Sequence, residues 1–185
     1  LVGRFQKLRI IRRIEPFFLR PLYHPDRPRA RTLLRETLEQ LGRWNAVLDC
    51  LGTDAESAEP QERRQIYERA AEVAHARLGP DAALPWLERL RAGLPEQAQI
   101  VGRIAEVHRS GGRYASVLRA LEDQLTLTTD LDGKRDLHLD RARVLEHERQ
   151  DPVAAIAALQ AARQLAPNDA ETLRKLDELY DRTGC

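Results

Sequence analysis

Apolar side chains recur with helical spacing along most of the 185-residue chain. Between residues 97 and 110, an apolar or small residue stands at every third or fourth position, which predicts an α-helix that buries one face. A second stripe with the same period runs from Tyr114 to Leu125. Gly111 and Gly112 separate the two stripes, and glycine readily adopts the left-handed conformation that ends many helices. This stretch therefore predicts two helices joined by a tight turn.

The same pattern predicts four helix pairs followed by a single helix. The loops between the stripes are short, so consecutive helices are expected to lie antiparallel. Val and Ile are few and scattered, which argues against a large sheet and favours an all-α fold. The predicted pairs are 29–41 with 43–52, 61–77 with 81–92, 97–110 with 114–125, and 134–149 with 153–165, and the single helix is 169–183.

The helix pairs belong to an internal repeat. Residues 79–112 align with residues 151–184 at an offset of 72 without a gap. A shorter motif, Gly-Arg-aromatic followed two residues later by Val-Leu, occurs at 42–48 and again at 112–118, at an offset of 70. A fixed period of this kind is typical of a solenoid, in which stacked units bury the apolar faces that no single unit can bury alone. The Gly-Arg-aromatic motif is expected to mark the same corner of two equivalent units, with the aromatic ring at the seam between neighbouring helix pairs.

These units resemble tetratricopeptide repeats. In that family a Gly and an aromatic residue mark the turn within each unit, here Gly42 with Trp44 and Gly112 with Tyr114. A proline closes the unit, and small residues stand where its two helices touch. The corresponding residues here are Pro95 and Pro167 for the closing prolines, Ala71, Ala83, Ala105, Ala155 and Ala162 for the small contacts, and Tyr180 and His108 for the first-helix aromatic position.

Three positions depart from the pattern, since Arg35, Arg143 and Asp177 stand where the first helix of a unit has a small residue. Those units are expected to pack more loosely. The resemblance covers residues 28–185 and implies a right-handed α-solenoid of antiparallel helix pairs. It further implies a non-catalytic protein-interaction scaffold that holds a peptide or a partner subunit in its concave face. The alternative is a regulatory or helper segment of a larger enzyme or envelope machine.

Composition adds that the chain is expected to be part of a longer protein. It opens on Leu, contains no Met, and ends on a first helix without its partner. Its Ala- and Arg-rich four-helix period also resembles tetratricopeptide proteins of bacteria. No secretory signal and no run of apolar residues long enough to span a bilayer is visible, which favours a cytoplasmic location.

Charge is distributed unevenly along the chain. Residues 1–31 contain nine Arg or Lys against two acidic residues, a balance of +7, while the remainder carries −6. Residues 1–27 are expected to form a separate basic, amphipathic segment, with an apolar stripe at Leu1, Phe5, Leu8, Ile11 and Ile14. The interpretations left open are a connecting helix that packs on the array, a membrane-surface helix through residues 1–20, nucleic-acid binding, and a salt-dependent contact with the acidic remainder. Nucleic acid is not an expected partner, because no recognised motif accompanies the charge.

Motifs of catalysis, metal binding and cofactor binding are not found in the sequence, and no enzyme activity or cofactor is expected. His138 and His147 are nine residues apart on one predicted helix, which is not a spacing that places two ligands on one face. Cys50 stands among apolar residues and is expected to be a small core residue.

Candidate binding residues lie on the first helices, which line the concave groove of tetratricopeptide arrays. One position in the predicted register holds four acids in five repeats, and the position one turn earlier is basic. The acidic position contains Glu36, Glu72, Glu106, Val144 and Glu178, and the basic position contains Arg69, Arg103, Arg141 and Lys175. The residues expected to contact a basic or extended peptide are Glu36, Glu72, Glu106 and Glu178, with Arg69, Arg103 and Lys175 beside them.

The alternative interpretation is that these acids and bases form i,i+3 ion pairs that only keep the surface soluble. The positions that bind a C-terminal carboxylate in chaperone-type members of the family hold no Asn here. They contain Thr32, Glu68, Gly102, Asp140 and Arg174, so that ligand is not expected.

Overall fold

A computed structural model describes residues 28–94 and 97–184. Within these residues the chain forms nine α-helices and one π-helical turn, and no strand. The basic segment expected at residues 1–27 lies outside the described residues. The helices are α1 (Pro28–Gln40), α2 (Trp44–Ser57), α3 (Pro60–Leu78), α4 (Pro80–Gly93), α5 (Ala98–Ser110), α6 (Tyr114–Leu127), α7 (Leu131–Arg143, continued by the π turn Val144–Glu148), α8 (Pro152–Leu165) and α9 (Ala170–Thr183).

Helix ends follow local sequence signals. Proline opens α3, α4 and α8, where its missing N–H removes no helical hydrogen bond. Asp130, Asp151 and Asp169 precede α7, α8 and α9, and each accepts a hydrogen bond from a backbone N–H of the first turn, as N-cap residues do. Gly42 and Gly112 follow α1 and α5 with φ of +69° and +67°. The predicted tight turns are therefore present at both corners.

Consecutive helices pack as antiparallel hairpins, and the hairpins stack side by side. The largest apolar cluster joins α1–α4 to Ile100, Ile104 and Val107 of α5, and a second cluster joins α7 and α8 to α9. The small residues predicted at helix contacts are all buried: Ala71, Ala83, Ala105, Ala155 and Ala162. The prediction of an all-α solenoid is confirmed. Among the described helices, none combines the length and apolar character needed to cross a bilayer.

The aromatic residue of the Gly-Arg-aromatic motif contacts the next hairpin. The guanidinium of Arg77, at the end of α3, lies 4.6 Å from the ring centroid of Trp44. At the equivalent corner, Tyr114 packs against the apolar cluster that contains Val144 of the π turn, and its interaction with Glu148 raises the pKa of the phenol. In both cases a side chain near the end of the following first helix holds the aromatic residue, which confirms the prediction that the ring lies at the seam.

The helices α3 and α7 occupy equivalent places, but their offset is 71 rather than the predicted 72. At this offset Ala142 takes the buried place of Ala71, and Leu145 takes that of Ala74. Pro152 still lies 72 residues after Pro80, so α7 must accommodate one additional residue before α8 begins. The π turn accommodates it, with the N–H of Arg149 donating to the carbonyl of Val144 at 3.1 Å.

This register corrects two predictions about α7. Arg143 does not replace the small first-helix residue, since that residue is Ala142. Val144 does not belong to the exposed row either, because it is buried, and Arg143, with 60% of its side chain exposed, takes that place. The physical reason is desolvation: an offset of 72 would place Arg143 in the fully buried position of Ala71, and burying an unpaired charge is costly.

Candidate functional site

Three of the predicted binding residues line one cavity of about 370 Å³ between α3 and α5. Glu72 comes from α3, and Arg103 and Glu106 come from α5. We call this space the α3–α5 cavity. Its full lining is Glu72, His75, Pro80, Ala83, Leu87, Arg103, Glu106, Val107 and Ser110.

The α3–α5 cavity has an apolar floor and a charged rim. Ala83, Leu87 and Val107 are buried and form the floor, whereas Glu72 and Glu106 are exposed. The nearest cationic partner of Glu106 is Arg109, at 3.7 Å. Within the described residues, Glu72 and Arg103 form no ion pair. The two carboxylates therefore keep most of their hydrogen-bonding capacity free.

Arg–carboxylate bridges close the other seams between neighbouring first helices. Arg69 of α3 donates to Glu39 of α1 at 3.1 Å, and Arg109 of α5 donates to Asp140 of α7 at 2.5 Å. Arg182 of α9 donates to Glu146 of the π turn. Among the described residues of α3 and α5 there is no bridge of this kind. The α3–α5 seam therefore differs from its neighbours in having no described bridge between its two first helices.

A second cavity, of about 570 Å³, lies between α1, α2 and α3. Its three arginines are held by carboxylates, and Glu62 is the lining acid without a described ion pair. Arg31 and Arg35 both donate to Asp54, at 2.8 and 3.0 Å. This explains how α1 tolerates an arginine at the small-residue position: Arg35 is half-buried beside a carboxylate supplied by α2. Arg69 also lines this cavity and is committed to Glu39. The α1–α3 space is consequently less available to a charged ligand than the α3–α5 cavity.

The remaining predicted residues lie apart from the α3–α5 cavity. Glu36 is exposed on α1 and forms no ion pair within the described residues. On α9, Lys175 pairs with Glu171 at 2.7 Å, and Glu178 pairs with Arg174. The structure thus brings Glu72, Arg103 and Glu106 together and separates them from the α9 pair.

The i,i+3 pairs expected between the basic and the acidic positions are not formed, although Glu106 makes a 3.7 Å i,i+3 contact with Arg109. Arg69 bridges to α1, Lys175 pairs with a residue one turn earlier, and Arg103 forms no ion pair within the described part of the chain. Long Arg and Lys side chains can reach several carboxylates, and sequence spacing does not determine which one they choose.

Sequence reasoning missed the role of Arg113 at the α5–α6 corner. Its guanidinium donates to Nδ1 of His108 at 3.0 Å and to Asp81 of α4 at 2.6 Å. The hydrogen bond from Arg113 lowers the pKa of Asp81, and burial, followed by the nearby Arg113 charge, lowers the pKa of His108. These contacts join one hairpin to the next, so the arginine of the Gly-Arg-aromatic motif has a structural role. Among the described residues, no group of His, Cys, Asp and Glu is arranged to hold a metal ion.

Comparison with known proteins identifies the fold but no close relative. No protein-family model matches the sequence, and no curated protein matches it. Among solved structures, the N-terminal domain of stress-induced protein-1 (STI-1) from C. elegans superposes with a TM-score of 0.56 at 12% identity, covering 66% of this chain and 98% of that one. MamA superposes with a TM-score of 0.54 at 11% identity, covering 81% and 84%.

A third similar structure is a putative kinesin light chain of Podosopora anserina with TPR-like repeats, with a TM-score of 0.53 at 15% identity, covering 88% of this chain and 89% of that one. These are tetratricopeptide-repeat proteins, so the resemblance found in the sequence is confirmed at the level of the fold.

Proposed function

We propose that this chain, which has the tetratricopeptide-repeat fold, is a non-catalytic scaffold that binds an extended peptide or a segment of a partner protein along its first helices. The α3–α5 cavity is the centre of the proposed site. Glu72 and Glu106 are its principal contacts, with Arg103 beside them, and Glu36 extends the acidic row onto α1. Arg69, Lys175 and Glu178 are flanking contacts, because each already has an ion-pair partner.

The observation that carries this proposal is the pairing of an apolar floor with two unbridged carboxylates. A Lys or Arg side chain has an aliphatic stem and a charged end. Its stem would lie on Ala83 and Leu87, and its charged end would bind Glu72 and Glu106. Charge-assisted hydrogen bonds of this kind are stronger than neutral ones. The cavity therefore favours a basic side chain carried by an extended partner.

A peptide-array screen on the full chain tests the proposal. Basic peptides that contain apolar residues are expected to be selected. The double variant Glu72→Gln/Glu106→Gln should bind the selected peptides at least about tenfold more weakly, since removing both charges costs more than about 1.4 kcal/mol of binding free energy. Equilibrium binding of the best peptides, measured by fluorescence anisotropy, gives the ratio.

A matched control variant removes the same charge elsewhere. Glu56 and Glu88 are exposed on the second helices α2 and α4, so Glu56→Gln/Glu88→Gln should retain wild-type affinity. Selection of acidic peptides, or equal affinity in wild type and in Glu72→Gln/Glu106→Gln, would contradict the proposal.

A further inference from the structure

Three exposed acids of the first helices, none with a described bridge to another helix, stand in one row on α1, α3 and α5. Glu36, Glu72 and Glu106 are all exposed, and the nearest ion pair that the structure describes for any of them is the 3.7 Å contact of Glu106 with Arg109. Arg69 of α3 bridges to Glu39 of α1, and α3 and α5 line one cavity, so the three carboxylates follow one another along this face. The apolar floor of the α3–α5 cavity lies at the centre of this row.

A basic segment complementary in charge to this acidic row is present in the same chain. Residues 1–20 contain six basic residues and one acid, Glu15. The segment also has an apolar stripe, which suits the buried floor formed by Ala83, Leu87 and Val107. The basic residues are Arg4, Lys7, Arg9, Arg12, Arg13 and Arg20. Both requirements of the proposed site, positive charge and apolar side chains, are therefore met by residues 1–20.

The point of attachment places this segment within reach of the site. The helices α1 and α3 run parallel, because the N-terminal halves of both line the same α1–α3 cavity. Pro28 is eight residues before Glu36 on α1, or about 12 Å along the helix. Glu72 lies on the next first helix, which Arg69 bridges to α1 through Glu39. The eight residues from Arg20 to Pro28 can extend up to about 28 Å. Arg20 and the residues before it can consequently reach Glu72 and Glu106.

We propose that residues 1–20 of this chain occupy the first-helix surface at Glu36, Glu72 and Glu106 within the same molecule, so that an external basic partner must displace them. This inference rests on the proposed function of that surface. A short tether gives the segment an effective concentration on the order of 1 mM at the site. At micromolar protein concentration the segment of the same molecule therefore outcompetes that of a second copy.

The test uses a fluorescein-labelled synthetic peptide of residues 1–20 as the probe and the full chain as the receptor. In the variant Arg9→Glu/Arg12→Glu/Arg13→Glu the attached segment loses its complementarity, and the probe should bind at least about tenfold more tightly than to wild type. Adding Glu72→Gln/Glu106→Gln to that variant should abolish the gain, whereas adding Glu56→Gln/Glu88→Gln should preserve it.

Three outcomes would overturn self-occupation. Equal probe affinity in wild type and in the segment variant would leave the proposed function standing but remove the competition by residues 1–20. Failure of the probe to bind the segment variant would show that this segment is not a ligand, and the peptide array decides the proposed function independently. A wild-type dimer in sedimentation velocity that the segment variant abolishes would assign the segment to a second copy.

Discussion

The helix α5 forms two seams that differ in one interaction. On one side, Arg109 reaches Asp140 of α7 and closes the α5–α7 seam with a 2.5 Å hydrogen bond. On the other side, Arg103 and Glu106 face Glu72 of α3 across a cavity, and the described residues form no bridge. Each seam has a buried leucine on the second helix that lies between its two first helices in the chain. This leucine is Leu87 of α4 at the α3–α5 seam and Leu121 of α6 at the α5–α7 seam. The stacking of hairpins therefore depends on the apolar layer, and the polar rim decides whether a seam is closed or available to a ligand.

Truncating a leucine of the apolar layer is expected to have the largest effect on stability, and the effect should be similar at both seams. Leu87 and Leu121 are each 2% exposed, so Leu87→Ala and Leu121→Ala should each lower the free energy of unfolding by about 2–5 kcal/mol. Urea unfolding followed by circular dichroism at 222 nm measures both. A decrease in the free energy of unfolding below about 1 kcal/mol for either variant would show that the apolar layer does not stabilise both seams.

Opening the closed seam is expected to have an intermediate effect. Asp140→Ala removes the acceptor of Arg109, and both side chains are partly shielded from solvent, so the loss should be about 1 kcal/mol. The double variant Arg109→Ala/Asp140→Ala completes a thermodynamic cycle that isolates the pair. A coupling energy indistinguishable from zero would mean that the bridge does not distinguish this seam from the α3–α5 seam.

Closing the open seam is expected to have the smallest effect on stability. Glu72→Arg places a cation across from Glu106 and should raise the free energy of unfolding by about 0.5 kcal/mol, because an exposed ion pair contributes little. Thermal unfolding at low and high salt measures it, and the gain should shrink as salt screens the pair. Glu56→Arg, at an exposed position of α2, serves as the control outside the α3–α5 seam. A stabilisation that is equal in both variants would attribute the effect to net charge.

The sequence predicted the elements and corners of this fold because both are local. Helical periodicity located every helix, although α2 extends to Ser57 rather than to residue 52. Gly42 and Gly112 marked turns that require a positive φ, and the alanines marked close contacts. Each of these features depends on residues near one another in the chain.

The register of α7 and the identity of the site could not be predicted in the same way. Val144 and Leu145 are both apolar, so the hydrophobic pattern of α7 is compatible with an offset of either 71 or 72 from α3. The pattern alone therefore does not determine the register. The α3–α5 cavity depends on which carboxylate each arginine selects, as Arg69 and Arg109 illustrate. Those choices are made between hairpins, where sequence spacing carries no information.

The π turn at Val144–Glu148 has a consequence for how such arrays change length. A residue gained within a first helix can be absorbed as one wide turn at the C-terminal end of that helix, while Val144 and Leu145 remain buried. The number of residues between a buried alanine of the first helix and the start of the second helix can then differ between hairpins, as it does between Ala71–Pro80 and Ala142–Pro152. Units of unequal length can therefore succeed one another in a single stack.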